Sequence, residues 1–130
     1  MEALRDKAVE IHTRGGNCAQ AVLCAFCGKY GVDFATAMRL AGGFGGGLRS
    51  GEICGAASGS AMVIGLKHGA SEPEDQEQKQ LCGARTAEVI KEFRERFGAV
   101  CCRDLLKIEG RKICNKLIAE ATQMLEDKGY

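Results

Sequence analysis

Residues 52–68 read EICGAASGSAMVIGLKH. Gly55 and Gly59 stand four apart with Ala56 and Ser60 beside them, so a helix here carries a face of small residues that another backbone can approach closely. Ser50 and Gly51 admit its start, and the stretch is expected to be the central helix of the fold. The composition argues the same way. Val, Ile and Thr are sparse, Ala is frequent and Gly numbers 18, a mixture that disfavours sheets.

Upstream, residues 41–47 read AGGFGGG, which carries too much backbone entropy for a stable helix and predicts a glycine-rich loop before the central helix. Asp33 can cap a short helix through Leu40. Asn17 followed by Gln20 resembles a capping box, predicting a helix from Cys18 to about Tyr30 that Gly31 ends. A first helix over residues 3–13 places Leu4, Ala8 and Ile11 on one stripe, and Gly15-Gly16 stops it. Downstream, Ser71 with Glu74 and Pro73 predicts a helix start, the helix running to Phe97 with Val89, Ile90, Phe93 and Phe97 inward and Gly98 ending it. A short helical piece over 100–106 and a last helix from about Arg111 to Lys128 follow, the latter with Ile113, Leu117, Ile118, Ala121 and Leu125 at core spacing. The fold class is therefore all-α, a compact bundle of about five to six helices, with residues 1–130 expected to form a single helical domain.

A chain of 130 residues can bury a core without covalent staples, yet it carries 8 Cys. Lys and Arg number 18 against 17 Asp and Glu, so no basic field advertises nucleic acid. The N-terminus mixes charges without an apolar signal segment, and no uncharged run is long enough for a membrane span. A soluble, cytoplasmic protein is the expectation, and in that reducing compartment thiols bind metal, do redox work or fill space.

Cys18 opens its helix and Cys54 lies in the first turn of the central one, positions where free amides and the helix dipole favour a thiolate. Cys24 and Cys27 form a CxxC that can share a partner, pack a second helix face or sit at an oligomer contact. Cys101 and Cys102 are vicinal and point apart, and Cys114 lies on the inward face of the last helix. Arg103, Lys107, Arg111, Lys112 and Lys116 surround these segments, either to lower thiol pKa values and receive an anion or simply as a solvated face. Cys82 is indistinguishable from packing.

Three patterns are discounted. GGLRSGEI has Glu52 and Ile53 where a phosphate-binding loop needs Lys and Ser or Thr. His12 and His68 are the only histidines, and His68 lies about 21 Å along the helix from Cys54, too far for a common metal. Gly28 follows the CxxC where haem attachment needs His.

CGAASG at 54–59, preceded by GGFGGG and followed by CRDLL and a further Cys, resembles the family named C_GCAxxG_C_C, small proteins classed as redox-active for their cysteines. The likeness spans Gly16 to about Ala121. Its four cysteines correspond to Cys18, Cys54, Cys102 and Cys114, with Cys101 a neighbour that leaves the third open by one residue. Relatives fused to haem-carrying modules imply electron transfer.

Three functions follow. Cys18, Cys54, Cys102 and Cys114 can cycle between dithiol and disulfide with a redox partner protein, as in a thiol-dependent oxidoreductase. The same four can hold an iron–sulfur cluster or a metal ion. Alternatively the chain is a helical interaction module with structural cysteines. Self-association is compatible with each.

Overall fold

The computed structural model describes residues 2–130, which form seven α-helices: α1 (Leu4–Thr13), α2 (Cys18–Phe26), α3 (Phe34–Leu40), α4 (Gly55–His68), α5 (Gln76–Phe97), α6 (Cys102–Glu109) and α7 (Ile113–Asp127). Among the described residues there is no strand, only one isolated antiparallel bridge between Ile53 and Cys101. The all-α expectation is met, with seven helices in place of five or six. The two short ones, α3 and α6, are separate because local chemistry isolates them. Asp33 accepts the Thr36 amide at 3.1 Å to start α3, and Gly110 at φ 68° ends α6.

The capping box ahead of α2 is complete, with the Gln20 amide donating to Asn17 Oδ1 and the Asn17 amide to Gln20 Oε1, each at 2.8 Å. The chain then tightens into a 3₁₀ turn, Cys27–Tyr30, closed by Gly31 at φ 75°. Every residue of α2 from Ala21 onward is buried, as suits a helix apolar on all sides. It packs against α1, α3, α4 and α7 and is the most enclosed helix, a place the sequence assigns to the 52–68 segment. Cys24 and Cys27 are accordingly core residues of this chain rather than an oligomer contact.

The small face of α4 does meet another backbone. A methyl group at Gly55 would lie 2.9 Å from the Ala19 nitrogen and the Cys18 Cβ, and one at Gly59 would lie 2.9 Å from the Ala19 oxygen. The two helices therefore start side by side. The remaining core comes from Ala8 and Ile11 of α1, Val89 and Phe93 of α5 and Ile113, Leu117, Ile118, Ala121 and Leu125 of α7, the inward positions read from the sequence. Phe93 and Phe97 pack edge to face with centroids 4.7 Å apart.

Three helix starts differ from expectation. α4 begins at Gly55 instead of Glu52 because residues 52–54 run extended beside 100–102, the Cys54 amide donating to Val100 O at 2.8 Å and the Cys102 amide to Glu52 O at 2.6 Å. α5 begins at Gln76 instead of near Ser71. Asp75 accepts the Gln78 amide at 3.0 Å as the working cap, and the Gln78 side chain donates back to His68 O at 2.6 Å, satisfying a free carbonyl at the end of α4. The last helix likewise starts at Ile113, after a 3₁₀ turn, Gly110–Lys112.

Gly59 and Gly65 give opposite expectations within one helix. Gly59→Ala gains about 1 kcal/mol of helix propensity but forces α2 and α4 apart at an overpacking cost of about 1–3 kcal/mol, so the net effect is destabilising. Gly65 faces open space, and Gly65→Ala should raise stability. Urea midpoints of the two variants check this, and a rise for Gly59→Ala would contradict the close approach.

Candidate functional site

One cavity of about 390 Å³ is lined by Cys18, Cys54, Cys102 and Cys114 together with His12, Arg49 and Arg111. The four thiols come from four different helices. Cys18 is the first residue of α2, Cys54 caps α4, Cys102 is the first residue of α6 and Cys114 the second of α7. Four helix N-termini thus meet at one place, where the sequence argument singled out two. None of the residues lining the cavity is Asp or Glu.

Local pairing explains the convergence. Ile53 and Cys101 are directly opposite in the antiparallel bridge and share one side of it, so the next residues along, Cys54 and Cys102, are diagonal neighbours on the other. Cys102 lines the cavity and Cys101 does not, which separates the vicinal pair. Arg103 fixes the junction by donating to Gly51 O at 3.2 Å and to the Glu52 carboxylate at 2.8 Å. Gly55 against Cys18 supplies the second constraint.

The thiols are chemically unequal. The neighbouring Cys114 side chain, then burial, pushes the Cys18 thiol far up, whereas the Cys18 thiol as a donor, then the positive fields of His12 and Arg111, hold Cys114 down at about 6. Burial pushes Cys54 up to about 11 although the Ala56 and Ala57 amides favour its thiolate. Burial also raises Cys102, with Cys114 adding to the effect and Arg111 opposing it. The expectation that the helix N-termini lower the pKa of Cys18 and Cys54 is therefore corrected. Desolvation outweighs the dipole at Cys54, and Cys114 is the one of the four that is lowered.

Of the five cations singled out in the sequence, only Arg111 faces the cavity. Arg103 braces the chain, and Lys107 pairs with Asp104 at 3.8 Å. Cys82 sits on α5 away from the cavity, and Cys24 is raised to about 11 by burial. Among the described residues no three His, Cys, Asp or Glu side chains are grouped to hold one metal ion. No described helix is long and apolar enough to cross a membrane.

Sequence reasoning set His12 aside. It reaches the cavity from the end of α1 and bonds through Nδ1 to Asn115 Oδ1 at 2.7 Å, a pairing across 103 positions that no local pattern announces. Arg49 was likewise passed over inside the discounted glycine run.

Residues 16–128 match the family described as "Putative redox-active protein (C_GCAxxG_C_C)". The chain belongs to this family. The C_GCAxxG_C_C match takes in all four cavity cysteines, and no curated protein or solved structure shows a significant match to the chain.

The sulfur pair makes a quantitative expectation. Alkylation by iodoacetamide at neutral pH should label Cys114 first, with a rate–pH midpoint near 6, while Cys54 stays unreactive until about 11. Cys18→Ala removes the donor and should move the Cys114 midpoint up toward 9.0, and Cys18→Ser, which keeps a donor, should move it less. Peptide mapping by mass reads both.

Proposed function

We propose that this protein of the redox-active C_GCAxxG_C_C family works by thiol–disulfide exchange, with Cys114 as the attacking thiolate and Cys18 as the thiol that resolves the intermediate. The convergence of four thiols from four helix N-termini on one cavity, Cys18 and Cys114 among them, is the observation that carries the proposal. Cys114 attacks one sulfur of a substrate disulfide, forms a mixed disulfide and releases one thiolate of the substrate. Cys18 then loses its proton and attacks the Cys114 sulfur, forming the Cys18–Cys114 disulfide and releasing the second substrate thiol. Two electrons pass to the substrate; the first product sulfur leaves as a thiolate, and the Cys18 proton leaves with the second.

Cys54 and Cys102 line the same cavity as protonated thiols. In this reading they form a second dithiol, which can reduce the Cys18–Cys114 disulfide by internal exchange and become a disulfide in turn.

Reduced protein treated with a low-mass organic disulfide should lose two hydrogen atoms and yield a Cys18–Cys114 crosslinked peptide. Cys114→Ser should abolish the reaction, and Cys18→Ser should stall at a mixed disulfide on Cys114. Unchanged exchange in Cys114→Ser would sink the assignment. So would anaerobically purified protein that carries stoichiometric iron and labile sulfide and loses both when any of the four cysteines is replaced, since the thiols would then be occupied as ligands.

A further inference from the structure

Thiol–disulfide exchange needs more than a thiolate, because the leaving sulfur must accept a proton when its own basicity is high. The cavity holds a side chain suited to that task. His12 projects from the end of α1, partly buried, and its Nδ1 is bonded to Asn115 Oδ1 at 2.7 Å. An amide oxygen can only accept, so Nδ1 carries the hydrogen and the pairing fixes which ring nitrogen remains for other work. Nε2 is therefore the atom that takes up and releases a proton. Asn115 follows Cys114 directly on α7, so the residue that orients the imidazole and the residue that attacks are held by the same helical turn.

The surroundings leave His12 without a competitor. The titratable and charged groups around the cavity are His12 from α1, Cys18 from α2, Arg49 from the segment before α4, Cys54 from the cap of α4, Cys102 from α6, Arg111 from the 3₁₀ turn before α7 and Cys114 from the start of α7. No carboxylate is among them, both arginines are permanently charged, and three of the thiols are held protonated. The imidazole is the one nitrogen base among them that can both accept and donate a proton. Its positive field also acts on the Cys114 sulfur, which places the two within electrostatic reach.

We infer that His12, oriented by Asn115, is the proton donor and acceptor of the exchange at Cys114. The inference rests on the thiol–disulfide reading above. When Cys114 attacks, the S–S bond of the substrate breaks and the departing sulfur takes the proton from His12 Nε2. The Cys18 proton next passes to Nε2 as Cys18 attacks the mixed disulfide, and the second departing sulfur takes that proton in turn. Two electrons and two protons are delivered, and His12 ends neutral. Asn115 acts through the ring and is a positioning residue.

The test separates acid catalysis from charge. Three rates are measured at pH 7 on the full chain: alkylation of Cys114 by iodoacetamide, exchange with an alkyl disulfide whose thiolate is basic, and exchange with an aromatic disulfide whose thiolate needs no proton. His12→Gln should lower alkylation and aromatic exchange by one common factor, the lost fraction of thiolate. It should lower alkyl exchange by roughly a further 100-fold, and added imidazole buffer should restore part of that loss. Asn115→Ala should reproduce the selective loss in weaker form. Equal losses on both disulfides would overturn the role of His12 while leaving the exchange reading intact. Wild-type protein that is alkylated at Cys114 yet reacts with neither disulfide would overturn both. Alkylation also serves as the folding control, because a disordered variant loses the distinction between Cys114 and the other thiols.

Discussion

The close approach of α2 and α4 at Gly55 is the constraint on which the rest depends. With 2.9 Å between a would-be Cβ and both the Ala19 nitrogen and the Cys18 side chain, only glycine lets the two helices begin at the same level. Once they do, Cys18 and Cys54 belong to one site. The extended residues 52–54 must then lie beside 100–102, which adds Cys102, and α7, packed on both α2 and α4, brings Cys114. A bundle of ordinary helix spacing, with larger residues at the contact, would hold the same thiols on separate surfaces.

The cavity balances two opposing effects, and their magnitudes decide the outcome. A helix N-terminus favours an anion by about 0.3–1 kcal/mol. Moving the Cys54 thiol from its ordinary 9.0 to about 11 means that burial costs its thiolate roughly 3 kcal/mol even with two amides aimed at it. At Cys114 the balance reverses because a thiol donor, an imidazole and a guanidinium act together on a sulfur that is only partly buried. Four thiols at four helix ends can thus hold different protonation states. Exchange chemistry requires that asymmetry, since one sulfur must attack while another waits with its proton.

Local chemistry made much of this legible. The Asn17–Gln20 box, the glycine stops and the spacing of Ile113, Leu117, Ile118, Ala121 and Leu125 are short-range patterns, and α2, α3 and the buried face of α7 follow them. The Ser71–Glu74 pattern did not become a cap because the connection from α4 must reverse direction, and Asp75 offers its carboxylate where the chain is ready to coil. The family likeness named the four cysteines, but their ranking was not legible. It depends on burial and on the juxtaposition of two thiols 96 positions apart, neither of which one-dimensional spacing records. His12 escaped for the same reason: a lone histidine at a helix end gains meaning only when Asn115 is brought beside it.

The glycine run also has a purpose beyond flexibility. Gly46, Gly47, Leu48 and Arg49 all have φ near 60°, one left-handed turn that costs each non-glycine residue roughly 1–2 kcal/mol, and a methyl group at Gly47 would lie 2.5 Å from the Glu52 backbone. A right-handed turn would send the chain on along the bundle. The left-handed one folds it back, lets the Glu52 amide donate to Gly47 O at 2.9 Å and turns residues 52–54 into line with 100–102. The strain at Leu48 and Arg49 is held by the Glu52 amide and by Arg103, which grips the carbonyls of Ser50 and Gly51 from across the bridge. Arg49 is thereby kept at the cavity while the same reversal delivers Cys54 to it. The backbone cost falls on two residues, and what it secures is the meeting of the thiols.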